Sequence, residues 1–237
     1  MAVTKVQSVL GPGNGGASTA TATFSVATTA GNTVVVAVIE LQAGSAPPAV
    51  TTCTDNASGG SGTWAVASGL ISHSGTQSYL AAQFCYILST KSFTTVTVGW
   101  GGAGIPCQIL AYELTPGVLL GTQTGSSASA TAPDTGNFTP SVNGAFIIGC
   151  GAIDDNHGNT TWCTAGTNFT LDGQDGTTGG GLNSSWAYES WAQSSATTAD
   201  ANYTSNTPAQ TGPTVASLIA IGPSGIPSVL GCMGCGT

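Results

Sequence analysis

Positive charge is almost missing from this chain. Its 237 residues include two lysines, Lys5 and Lys91, and no arginine, against ten acidic residues, so charged side chains make up 5% of the whole. With a formal charge of −8 and a pI near 4.1, the chain is excluded as a nucleic-acid binder, because gripping a phosphate backbone takes several Lys or Arg contacts. Long apolar runs are missing too. The longest covers residues 34–39, far short of the ~20 residues of a bilayer-spanning helix, and the opening MAVTKVQSVLG lacks the apolar core of a secretory signal. The sequence therefore predicts no membrane segment and no leader. Leu, Glu, Lys and Arg, the usual helix formers, are scarce, which argues against a helical protein.

What remains is apolar, small and β-prone. Apolar residues reach 41%, which excludes the low-hydrophobicity, high-charge composition of a disordered chain. Apolar and β-branched runs of five to ten residues alternate with Gly, Asn, Ser and Pro clusters, at 3–10, 20–28, 32–41, 62–72, 78–89, 93–100, 106–113, 145–153, 184–193 and 214–221. This pattern predicts an all-β protein. The chain also resembles itself: at an offset of 114, Phe24 falls on Phe138, Val34 on Ile148, Ile39 on Ile153, Glu40 on Asp154 and Val6 on Leu120. Later landmarks match at shorter offsets, Trp64 with Phe169, Tyr79 with Trp186 and Leu110 with Leu218. The expected architecture is an antiparallel two-sheet β-sandwich of jelly-roll type built from two repeated halves, 1–117 and 118–225, with a Gly/Cys-rich tail at 226–237. Two complete sandwiches, one per half, are the alternative.

Residues that could carry chemistry are few. Glu40, Glu113 and Glu189 are the only glutamates, and an acid pair across a groove would suit glycoside hydrolysis, but the alternating acids that sandwich glycanases place on one strand are missing. His73 and His157 have no nucleophile motif near them. No catalytic residue is expected. Asp154, Asp155, Asp172 and Asp175 group hard oxygen ligands of the kind Ca²⁺ takes, in a spacing that matches no EF-hand, so they are cation candidates only. Seven cysteines leave at least one unpaired within the chain; Cys150 and Cys163 flank a turn-rich loop, and Cys232 and Cys235 form a lone CxxC in the tail, suited to linking within the tail or to a neighbouring subunit. Trp162, Trp186 and Trp191 give the second half an aromatic bias, and exposed members would stack on sugar rings.

The run TTAGNTVVVAVIE, then CTDNASGGSGTW, then ILAYELTPG, resembles a loosely defined group of β-sandwich structural proteins of bacteriophages (decoration, tail and fibre type) and related bacterial surface proteins. The matching residues are Ala30-Gly31-Asn32-Thr33, Asp55 through Trp64, and Glu113 through Gly117. The resemblance implies a non-enzymatic virion protein on the outside of a particle. It would dock on a lattice of other virion proteins such as the major capsid protein, and would self-associate as a homo-oligomer. It carries no shared catalytic residues. A glycan-binding module of a surface or adhesion protein, using Ca²⁺, and a subunit of an extracellular filament are the alternatives.

Overall fold

The computed structural model describes residues 1–12, 14–42, 44–67, 71–74, 79–101, 105–154, 161–175, 185–206 and 212–224. Among them there is no helix, and so none long and apolar enough to cross a membrane. Ten strands come first: β1 (Lys5–Leu10), β2 (Asn14–Gly15), β3 (Thr19–Thr23), β4 (Thr33–Gln42), β5 (Thr52–Asp55), β6 (Ala65–Val66), β7 (Ile71–Ser74), β8 (Tyr79–Leu88), β9 (Thr95–Gly99) and β10 (Pro106–Leu114). Seven follow: β11 (Gly117–Ala130), β12 (Phe146–Ile153), β13 (Cys163–Thr164), β14 (Thr170–Asp175), β15 (Ser185–Ala192), β16 (Thr204–Ser205) and β17 (Gly212–Pro223). The all-β, antiparallel sandwich expected from the sequence is what the chain builds.

Four sheets form. A seven-stranded sheet runs β1-β10-β4-β8-β6, with β2 and β7 added to β10 and β8, and a three-stranded sheet runs β3-β9-β5. A five-stranded sheet runs β11-β17-β12-β15-β14, and β13 pairs with β16. The two large sheets face each other across the largest core, where Val35, Ala37, Ile39, Phe84 and Tyr112 meet Phe146, Ile148, Tyr188, Ile219 and Ile221. The opposite face of the seven-stranded sheet, with Val34, Val36 and Val38, packs on Ala20, Ala22, Val96 and Val98 of the small sheet. The outer face of the five-stranded sheet is covered in the same way by Phe169, Ala199, Ala201, Trp162 and Tyr203.

The sequence pattern accounts for this layering. A strand apolar on both faces reads as a continuous run, and β4 (TVVVAVIELQ) is buried at nine of its ten positions because sheets cover it on both sides. A strand with one wet face alternates. In β3 (TATAT) the alanines turn inward while Thr21 and Thr23 meet Thr97 and Thr95 of β9 at 3.2 and 3.3 Å on the outside. The expected two-sheet sandwich is thus the middle of a thicker stack. Its two sheets do not exchange strands, since one is drawn wholly from residues 5–114 and the other from 117–223. Alternation between sheets occurs instead inside the first half, where β1, β4, β8 and β10 enter the large sheet and β3, β5 and β9 the small one.

Read across the sheets, β1, β10, β4 and β8 hold the positions in one that β11, β17, β12 and β15 hold in the other. The facing pattern is reciprocal: β1 reaches β14 through Lys5 and Asp172, β7 packs under β11, β10 meets β15, β8 meets β17, and β4 crosses β12. The register differs from the ungapped alignment by one residue. Val34 points into the outer core whereas Ile148 points into the central one, so the offset of 114 matches residues on opposite faces. At an offset of 113 the left-handed Gly31 (φ +94°) falls on the left-handed Gly144 (φ +78°). The hydrogen bond from Ser89 N to Asn32 O then corresponds to that from Gln193 N to Ala145 O.

Candidate functional site

All three glutamates are buried. Glu113 is buried on β10, where Oε1 accepts from Thr29 N (2.7 Å) and Asn32 Nδ2 (2.6 Å) and Oε2 from Gln7 Nε2 (2.6 Å). It therefore clamps the turn that carries Gly31 and Asn32. Glu40 sits opposite Cys107 at the far end of the same strand pair, six residues from Glu113 along β10, or about 20 Å at ~3.3 Å per residue. That is well beyond the ~5–9.5 Å that separates paired glycosidase carboxylates. Glu40 is 1% exposed, neither of its oxygens has a hydrogen-bond partner among the described residues, and burial pushes its carboxyl up to about 8. Glu189 is fully buried, and burial likewise raises its carboxyl to about 8, although Oε2 accepts from Gly166 N at 2.7 Å. Both acids are protonated at neutral pH, which removes the cost of enclosing a charge.

Of the cation candidates, Asp172 is committed elsewhere. Its carboxylate lies between the halves, where Oδ1 takes the Lys5 ammonium at 2.6 Å and Oδ2 accepts from Tyr112 OH at 2.9 Å. Asp154 follows β12 and Asp175 ends β14, at the same end of the five-stranded sheet with β15 between them. Asp155 lies outside the described residues. Among the described residues no three acidic, His or Cys side chains converge as a metal ion would need. His73 lies on β7, and His157 lies outside the described residues.

Comparisons with family models, characterised proteins and solved structures find no match.

Two of the three sugar-stacking candidates are core residues. Trp162 is fully buried, its indole Nε1 donating to the Trp186 carbonyl at 2.9 Å, and Trp186 packs on Tyr188 with ring centroids 5.4 Å apart. Neither offers a face to a ligand. Trp191 is half-buried, stands edge-on to Phe169 at 5.7 Å, and lines an open depression of about 420 Å³ with Lys5, Asn168 and Ser190. The cysteine pair suggested by loop position is not brought together: Cys150 points into the central core and Cys163 into an outer one, on opposite faces of the five-stranded sheet. Cys232 and Cys235 lie outside the described residues.

A different place entered the sequence reading only as part of the resemblance, not as a site. Asp55 ends β5, and its carboxylate accepts from Ala57 N (3.0 Å), Ser61 N (3.3 Å), Ser61 Oγ (2.5 Å) and Trp64 Nε1 (3.0 Å). Burial pushes this carboxyl up, but the hydrogen bonds from Ser61, Trp64 and Ala57 outweigh it and hold it below the ordinary value. The looped chain walls an open pocket of about 470 Å³ whose lining includes Cys53, Asp55, Gly60 and Trp64. The signal was the motif from Asp55 to Trp64, legible as a resemblance but silent about the thiol beside it.

Proposed function

We propose that this chain is a non-enzymatic structural subunit of a virus particle, an outer capsid decoration or fibre-type protein of a bacteriophage that docks on a protein lattice formed by the major capsid protein and self-associates there. The observation that carries this reading is the use made of the polar residues. Glu113, Asp55 and Asp172 are held by two to four hydrogen bonds or ion pairs each inside the fold, and Glu40 and Glu189 are buried, so these side chains work as fasteners. The outside offers building surface instead. Edge strand β11 runs fourteen residues, GVLLGTQTGSSASA, without a charge or a proline, the devices that ordinarily keep an edge from pairing with another chain.

The architecture belongs to the same reading. Equal strand order, reciprocal packing of the large sheets and matched left-handed turns at Gly31 and Gly144 support two diverged copies of one jelly-roll unit, joined back to back as an isologous dimer would be. The test is co-sedimentation of the purified chain with particles of the phage that carries its gene, followed by immunogold microscopy of native particles. Saturable binding and regular surface labelling are expected; a chain that stays in the supernatant and is missing from particles overturns the reading.

Trp191 favours a second reading, a glycan-binding module, since it is the one aromatic of the three candidates with a face open beside a depression. A glycan array probed with and without EDTA separates the two: specific binding lost on Trp191→Ala supports the module, and an array without signal removes it.

A further inference from the structure

The two large sheets end in a charged side and an uncharged one. On the first side β1 meets β14, and both strands carry the devices that keep an edge to itself: Lys5 and a bulge between Lys5 and Gln7 in β1, Asp172, Asp175 and a bulge between Leu171 and Gly173 in β14. On the other side β7 packs under β11, and β6 pairs with the same strand as β7. There the sequence holds no Lys, Arg, Asp or Glu at 56–90 or at 114–133, in a chain of formal charge −8. Val66 of β6 and Val118 of β11 are exposed.

Of the edges on this uncharged side only β11 is long. Its residues Gly121–Ser127 pair with β17 without a break, between register shifts at Leu119/Gly121 and Ser127/Ala130. Among the described residues no strand and no backbone hydrogen bond meets the outer edge of 118–126. Just past it, Ser127 Oγ donates to Ser129 O at 3.2 Å and accepts from Ser129 N at 3.3 Å, so the edge closes on itself there. Within the run, Thr122, Thr124 and Ser126 stand opposite Ile219, Ser217 and Val215 on the side of the central core, and Thr124 is exposed.

We propose that this uncharged side is an interface between two copies of the chain, in which β11 of one protomer pairs antiparallel with β11 of its partner about a two-fold axis at Thr124, joining two five-stranded sheets into one. A row of free N–H and C=O groups calls for another strand. An acidic chain approaches its own copy at least cost where neither surface is charged, whereas a basic partner would be drawn to the acids elsewhere. Centring on Thr124 is the one register that sets all of 121–127 against all of 121–127, so that Gly121 faces Ser127 and Thr122 faces Ser126. Thr against Thr is a pair the chain already uses, at Thr21 and Thr97 and at Thr23 and Thr95. The dimer gives the self-association proposed above its surface, and rests on that reading.

Sedimentation equilibrium of the full chain over a dilution series, with no particles present, is expected to show reversible exchange between 23.2 kDa and twice that mass, persisting at high salt. Amides of 118–126 are expected to exchange with deuterium more slowly as the concentration rises. Thr124→Lys and Thr124→Glu each set like charges against one another and are expected to weaken the dimer roughly tenfold with the thermal midpoint of the monomer unchanged, while an equimolar mixture of the two variants regains it. A monomer at every concentration, amides of 118–126 already protected in that monomer (as when residues 226–237 lie along β11), protection confined to another strand, or a dimer indifferent to both substitutions would each overturn the proposal. The deuterium map of the unaltered chain decides the matter even if a variant fails to fold. A monomer that still saturates particles sinks the dimer and leaves the virion reading standing; a dimer that stays off particles does the reverse.

Discussion

The indole of Trp64 donates to the carboxylate of Asp55 nine positions earlier, at 3.0 Å, and Ser61 completes the clamp from between them. A carboxylate that collects four donors organises the whole stretch from 56 to 64, which has no strand of its own to hold it. Asp55→Ala leaves four donors to find water and is expected to cost on the order of 2 kcal/mol; Trp64→Phe, which removes one, costs roughly 1 kcal/mol. Urea unfolding at neutral pH measures both.

The same clamp and the buried glutamates set opposite limbs of the pH profile. Asp55 has its carboxyl depressed in the folded state, so its contribution is present above the ordinary carboxylate value and is lost as pH falls through the lowered one. Glu40 and Glu189 titrate at about 8 when folded and near 4.5 when unfolded, so the unfolded chain releases these protons first and stability falls as pH rises from about 4.5 to 8. Each contributes a slope of up to about 1.4 kcal/mol per pH unit. Maximum stability is therefore expected near pH 4–5. Glu40→Gln should flatten the upper limb and leave the lower unchanged in a series of thermal melts; an unchanged upper limb would show that Glu40 ionises inside the fold.

Lys5 and Asp172 form the ion pair that joins the halves, with the lysine about one-third exposed and the aspartate 6% exposed. Lys5→Met strands a buried carboxylate with one donor left and is expected to cost roughly 1–2 kcal/mol, less than a fully buried pair because water reaches the lysine. Lys5→Met combined with Asp172→Asn should recover part of the loss, which a double-mutant cycle reads directly.

Tyr188 OH donates to the Gln108 carbonyl at 2.7 Å across the central core. Tyr188→Phe keeps the ring and leaves that buried carbonyl short of its partner, an expected loss of about 1–2 kcal/mol by denaturant titration.

The layers of the fold were legible wherever the two faces of a strand differ in chemistry. TATAT and TVTVG announce one dry face and one wet face, and each strand has them. The register between the halves was not legible, because β4, β12 and β17 are apolar on both faces and a slip of one residue leaves such a pattern unchanged. Only the left-handed glycines, which are turn geometry and not hydropathy, fix it. The tryptophans misled for a related reason: Trp162 and Trp186 stand in an aromatic-rich stretch that looks like a binding face, but Trp186 shares the inward side of β15 with Tyr188, and Trp162 fills the outer core on the opposite face of that sheet. Asp172 looked like a free ligand because its partners are 167 and 60 positions away.

Because the large sheets are drawn from consecutive stretches of chain, they become available one after the other at the ribosome. The first can complete its strands once Leu114 has emerged, yet the face bearing Ile39, Phe84 and Tyr112 stays wet until the chain has been made as far as β17. For that interval a nascent chain displays a greasy sheet whose natural cover is the five-stranded sheet made after it, and a neighbouring nascent chain carries the same cover. With only Thr115 and Pro116 between β10 and β11, the rightful partner is tethered by the shortest of leashes, which raises its local concentration far above that of any competitor.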